Sequence, residues 1–212
     1  NSFYNYVNKY YLEDFSFSKN KALLINCNNI PLHNNKSPQE TFLNDPIDLT
    51  LRYRDPVSTI EENQQKSIFL IDQWCSNYEQ KIQDLGGIGF FLGGIGPDGH
   101  IAFNIRGSDH NSTTRLMETN FETQAAAATD LGGIEISKKH LVITIGLGTI
   151  TFNKDTTAII TAAGEAKAKI IRDSIESSPS TNFPASALNK INNSRFYITQ
   201  GAAKELEEAQ NY

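Results

Sequence analysis

Residues 86–99 read GGIGFFLGGIGPDG, a short apolar run held between glycine clusters. The run is too brief for an ordinary helix, and the glycines end whatever element it forms, so it reads as a buried parallel strand that stops in a loop. Upstream, Ile68, Ile71, Trp74, Cys75, Tyr78, Ile82 and Leu85 recur at three- and four-residue steps until Gly86-Gly87. That spacing predicts an amphipathic helix beginning near Ser58 and capped by glycine. Downstream, His140–Gly146 and Thr156–Gly164 read as strands, Gly164–Glu176 as a helix with Ile170, Ile171 and Ile175 on its apolar side, and Ser194–Thr199 as a closing strand before a Glu-rich tail helix. Buried strands alternating with helices predict an α/β domain with a mostly parallel sheet and helices on both faces.

The rest of the chain is less regular. Residues 1–17 carry aromatics at Phe3, Tyr4, Tyr6, Tyr10, Tyr11 and Phe15, closer to a helical face than to strict alternation, and this start resembles the interior of a domain. Residues 26–57, rich in asparagine and proline, read as loops and short elements. A length of 212 residues suits one domain, 1–212. A net charge of −5, with no cluster of Lys and Arg interleaved with aromatics, argues against a nucleic-acid partner. Cys27 and Cys75 have neither CxxC nor metal-ligand spacing, so no metal site is expected and a reducing compartment fits. No apolar run approaches a membrane span and no signal peptide is visible, so the expected location is cytoplasmic.

In α/β sheets ligands bind at the carboxyl ends of the strands. The segment Gly93–Asn104, GGIGPDGHIAFN, follows such an end. Gly94, Gly96 and Gly99 allow close backbone approach and positive φ, as a ligand-cradling turn requires. Asp98 and His100 flank Gly99. If that glycine turns left-handed, carboxylate and imidazole converge, the Asp orienting the ring and the His moving protons near neutral pH. The bland alternative is a glycine turn with a surface Asp and a solvated His.

The twelve-residue segment resembles the signature of the glucosamine-6-phosphate deaminase (isomerase) family, which shares a superfamily with 6-phosphogluconolactonases. The resemblance extends through the helix ending at Leu85 and through STTRL, LVITIGLGTI, AAGEAKA and FPASALNKI, covering most of residues 60–203. It implies a Rossmann-like fold, a sugar-phosphate ligand, no cofactor, and conversion of an amino-sugar phosphate to a ketose phosphate and ammonia. By resemblance, His100 is the ring-opening histidine, Asp98 the carboxylate that supports it, and Lys167 the lysine that meets the substrate phosphate. Gly146-Leu147-Gly148-Thr149 matches a loop bordering the substrate cleft, although a plain strand-ending turn explains it equally well. Arg115 matches an arginine of an effector site in regulated relatives, but Met117 stands where that site has a lysine and can neither donate to phosphate nor pair with it.

Three departures qualify the resemblance. Ile105-Arg106 replaces the glutamate that assists the histidine, Thr129 stands where relatives carry a phosphate-binding arginine, and the family's glycine-rich phosphate turn and acidic base segment have no counterpart in the 212 residues. The expectation is therefore a family domain without its first strands, impaired as a catalyst, and exposing a sheet edge and apolar face that self-association to a homo-oligomer would cover. Two other readings stay open: a non-catalytic sugar-phosphate-binding module, and a 6-phosphogluconolactonase-like hydrolase, against which the run IAFN speaks.

Overall fold

The computed structural model describes residues 3–42, 47–125 and 141–207. In chain order the helices are α1 (Phe3–Val7), α2 (Pro38–Phe42), α3 (Thr59–Asp84), α4 (Leu147–Thr151) and α5 (Ala168–Glu176). The strands are β1 (Phe90–Gly94), β2 (Arg115–Glu118), β3 (Leu141–Thr144), β4 (Thr157–Ala162) and β5 (Asn193–Ile198).

The α3 helix runs where its periodicity predicts because both ends are marked in the sequence. Ser58 Oγ accepts from the Glu61 N–H at 3.2 Å, and acidic Glu61 and Glu62 in the first turn suit the positive end of the helix. At the far end Gly86 and Gly87, with φ of 90° and 84°, close the last turn through Gly87 N–H to the Ile82 carbonyl at 2.9 Å. Its buried stripe, Ile68, Ile71 and Cys75, packs on Ile30, Leu32, Phe42, Leu51 and Leu116. The asparagine-rich segment 26–57, whose described residues form only short helical turns, thus supplies one side of a core.

A second core lies beside the parallel sheet, whose order is β1-β4-β5. Leu92 lies opposite Ile159 and Ile159 opposite Arg195, so the two pairings share one register. Ala158 and Ile160 point into the layer formed by Ile95, Ile101, Leu147, Ile150, Ile170, Ile171 and Leu188. The α4 and α5 helices and the 3-10 turn Pro184–Lys190 cover that face.

Three expectations are corrected here. The opposite face of the sheet is open among the described residues: Phe90, Leu92 and Tyr197 are 59%, 57% and 59% exposed, so none of the helices described covers that face. The alternation within β1 and β5 puts these side chains on the face away from the core. The strand at Leu141–Thr144 is not part of the parallel sheet but pairs antiparallel with β2, Leu116 opposite Ile143; its expected first residue, His140, lies outside the described residues. Residues 201–205 form turns rather than the start of a tail helix: after one four-residue bond from Ala203 N–H to Thr199, Lys204 and Leu206 bond back over only three residues, to Gly201 and Ala203. Among the described residues no helix is long and apolar enough to cross a membrane.

Candidate active site

The loop after β1 folds on its own backbone. Gly96 N–H donates to the His100 carbonyl at 2.9 Å and Gly99 N–H to the Gly96 carbonyl at 3.1 Å, closing a tight turn in which Gly99 has φ 82°. This turn brings Asp98 and His100 together: Nδ1 of His100 lies 2.5 Å from Oδ1 of Asp98. Gly96 is required sterically, since a Cβ there would stand 2.0 Å from His100 Cε1. Gly99 serves the scaffold instead. Its carbonyl accepts from Ala185 N–H at 3.0 Å, and a Cβ would press on Ile170 of α5 at 2.9 Å. At Gly94, the last residue of β1, a Cβ would meet only ordinary contact, so no steric demand explains that glycine.

Asp98 is 4% exposed. Burial by itself would raise its carboxyl, but the hydrogen bond and charge of His100, with the amide of Asn120, overcome burial and hold it well below the usual carboxylate range. An ionised Asp98 assigns the ring proton to Nδ1, which leaves the Nε2 lone pair free to exchange protons. Phe103 lies nearly parallel to the imidazole, at 6.5 Å and 18°, and Phe3 meets Phe103 edge-on at 6.0 Å.

Lys167 ends the 3-10 turn Glu165–Lys167, directly before α5. Its ammonium donates to the carbonyl of Ile95, the residue after β1, so the crossover following β4 is tied to the end of β1. Burial lowers the Lys167 amine while the charge of Asp98 raises it. The cation therefore sits within the field of the dyad. An open depression of about 360 Å³ at the carboxyl ends of β4 and β5 is lined by Thr161, Ala162, Ala163, Tyr197, Ile198 and Thr199. Thr161 is the register partner of Gly94.

Arg115 opens β2 and is committed internally. It donates to Asn104 Oδ1 at 2.9 Å, Ser108 Oγ at 3.2 Å and the Thr113 carbonyl at 3.3 Å. Asn104 is fully buried and donates to the Ile101 and Ile145 carbonyls, pinning the loop to the end of β3. Gly146 and Gly148 pack on the backbone of Ser112 and Asn111, where added Cβ atoms would stand 1.9 and 2.7 Å away, so this turn is a scaffold contact. Arg106 is exposed, and Thr129 lies outside the described residues. Among the described residues no three His, Cys, Asp or Glu side chains gather as metal ligands.

Two neighbours of the dyad, Asn120 and Thr123, are absent from the sequence-based expectations. Asn120 Nδ2 donates to Asp98 Oδ2 at 2.6 Å, and Thr123 Oγ1 lies 3.4 Å from His100 Nδ1. The available signal was local: an asparagine followed three residues later by threonine, the pattern of a helix N-cap.

No family model matches the chain. It is 39% identical over 119 residues to a glucosamine-6-phosphate isomerase of Candida albicans, covering 56% of this chain and 48% of that protein. It is 37% identical over 133 residues to a glucosamine-6-phosphate deaminase of Caenorhabditis elegans, covering 63% and 49%. The chain thus spans about half the length of the curated relatives it matches. Among solved structures, a monomeric glucosamine-6-phosphate deaminase superposes with a TM-score of 0.55 at 33% identity, over 61% of this chain and 53% of that one.

Proposed function

We propose that this chain shares the family of the glucosamine-6-phosphate deaminases it resembles over the aligned stretch, that it binds an amino-sugar phosphate at the loop after β1, and that it opens the sugar ring with His100. The observation that carries the reading is the buried Asp98–His100 pair at 2.5 Å with the Lys167 ammonium tied to Ile95 beside it. A dyad whose Nε2 carries the free lone pair can take the proton of the anomeric hydroxyl and then deliver that same proton to the ring oxygen. Lys167, at the entry to α5, offers the phosphate a cation and lies where helix N–H groups favour an anion. Gly96 lets the His100 imidazole lie flat against the backbone.

Turnover by these 212 residues is expected to be slow, because Ile105 stands where the family resemblance places a glutamate that assists the histidine. Losing one proton-transfer group costs roughly 10²- to 10⁴-fold in rate. Calorimetry with glucosamine 6-phosphate, paired with an ammonia-release assay, tests the reading. Binding is expected, weakened about tenfold or more in Lys167→Met, while His100→Gln binds but releases no ammonia. Absence of binding, or a Lys167→Met variant that binds unchanged, overturns the assignment. Binding without any turnover selects the non-catalytic module, which Ile105 favours. Hydrolysis of 6-phosphogluconolactone with no action on the amino sugar selects the hydrolase.

A further inference from the structure

The relay suggested by family resemblance lacks its glutamate at position 105, yet the Asp98 carboxylate is not left half-satisfied. Its Oδ1 meets His100 and its Oδ2 accepts from Asn120 Nδ2 at 2.6 Å. The orientation of the Asn120 amide is dictated by the backbone: Thr123 N–H donates to Oδ1 at 3.1 Å, so Oδ1 is the oxygen and Nδ2 must be the end that faces Asp98. Asn120 therefore works in two directions, capping the helical turn at residues 121–125 and clamping the dyad. Thr123, one turn in, sets its hydroxyl 3.4 Å from the same ring nitrogen that Asp98 engages.

We infer that Asn120 is a positioning residue of this site: by holding Oδ2 of Asp98 it fixes the carboxylate so that His100 keeps its proton on Nδ1 and exchanges protons through Nε2. The inference rests on the ring-opening role of His100 proposed above for its catalytic consequence, but not for its structural one. A buried carboxylate with one partner turns about its side-chain torsion or recruits a proton; one with a donor on each oxygen does neither. The charge of Asp98 also acts on the Lys167 ammonium nearby. Asn120 and Thr123, contributed by the helical turn, are neutral, so they orient the dyad without changing its charge.

The test is ¹⁵N NMR of the side-chain imidazoles in alkaline buffer, with the His100 signal identified from its loss in His100→Gln. The intact protein is expected to show the Nδ1–H tautomer. Asn120→Ser keeps a capping oxygen while losing the amide that reaches Asp98, and Asn120→Ala loses both. Both are expected to raise the Nε2–H tautomer several-fold. If Asn120→Ala does not fold, Asn120→Ser alone decides. An unchanged tautomer ratio in a folded Asn120→Ser overturns the inference, because loss of helix capping alone would leave that ratio where it was. Where ammonia release is measurable, kcat is expected to fall about tenfold with KM unchanged. Failure of the chain to bind sugar phosphate would remove the ring-opening reading while the tautomer measurement still judged Asn120.

Discussion

Two carboxyl side chains are buried to nearly the same degree, Asp98 at 4% exposure and Glu79 at 5%, and the chain uses them for different ends. Glu79 Oε2 accepts from Thr114 N–H at 3.1 Å, Thr114 Oγ1 at 2.8 Å and Thr149 Oγ1 at 2.7 Å, and Oε1 accepts from Gln83 Nε2 at 3.2 Å. Every donor is a group that keeps its proton, so this cluster rivets α3 to Thr114, the residue before β2, and to α4. Asp98 has fewer partners, but one of them is an imidazole, and a lysine shares its field. Burial and hydrogen-bond saturation are therefore poor markers of chemistry. A partner that can gain and lose a proton is the better one.

The sharpest way to break this comparison is to remove Glu79. Glu79→Ala leaves the Thr114 and Thr149 donors unpaired in a buried site and is expected to cost about 3 kcal/mol, read by urea unfolding; Glu79→Gln, which keeps an acceptor, is expected to recover part of it. A loss below about 0.5 kcal/mol would undo the structural reading. Gly96→Ala comes next. Its new Cβ, 2.0 Å from His100 Cε1, must displace the ring or the backbone, at a cost of roughly 2 kcal/mol, and the Nδ1–H tautomer signature of His100 should vanish with it.

Asp98→Asn sharpens the contrast through pH. It puts an amide N–H against one of the donors and is expected to cost roughly 1.5 kcal/mol at neutral pH. Because the folded Asp98 carboxyl lies below its unfolded value of about 3.9, the unfolded chain binds the extra proton as pH falls. The stability Asp98 contributes is therefore present above about pH 4 and lost below it. The difference between the parent and Asp98→Asn should shrink in that acid window; a constant difference would contradict an ionised Asp98.

A smaller effect is expected at His110, 8% exposed, whose Nε2 has no partner among the described residues. Burial, aided by Lys190, lowers its ring below the ordinary histidine value, against the opposing Ser180 backbone and Asp109. The folded chain thus resists a proton that the unfolded chain accepts near pH 6.5, and stability drops as pH falls through that point. His110→Gln should flatten the profile there by up to about 1 kcal/mol. The smallest change is predicted on the open face: Leu92→Thr should shift stability by less than about 0.5 kcal/mol, since that side chain is 57% exposed. A larger loss would mean that the face is covered in solution.

Much of this was legible in the chain itself, and the limit of legibility is physical. The bounds of α3, the strand between the glycines and the left-handed turn at Gly99 follow from local rules, namely apolar period, capping residues and a backbone angle that favours glycine. The Asp98–His100 pair could be foreseen because two residues either side of such a turn have little choice but to meet. Asn120 could not, since it reaches Asp98 across 22 positions of sequence by way of a separate helical turn. Nor could Glu79, whose acidic side chain inside an amphipathic helix reads as a polar residue until Thr149, 70 positions later, closes on it.

The same division explains the sheet. The sequence by itself determined that α3 and α5 coil and that β1, β3, β4 and β5 extend, because those choices depend on neighbours within a few residues. Only the tertiary structure decided that β3 turns away to pair with β2, that one face of β1-β4-β5 is packed and the other is open among the described residues, and which buried carboxyl faces an imidazole. Those outcomes depend on contacts between distant segments, where pairing geometry and the satisfaction of buried polar groups settle what local pattern leaves free.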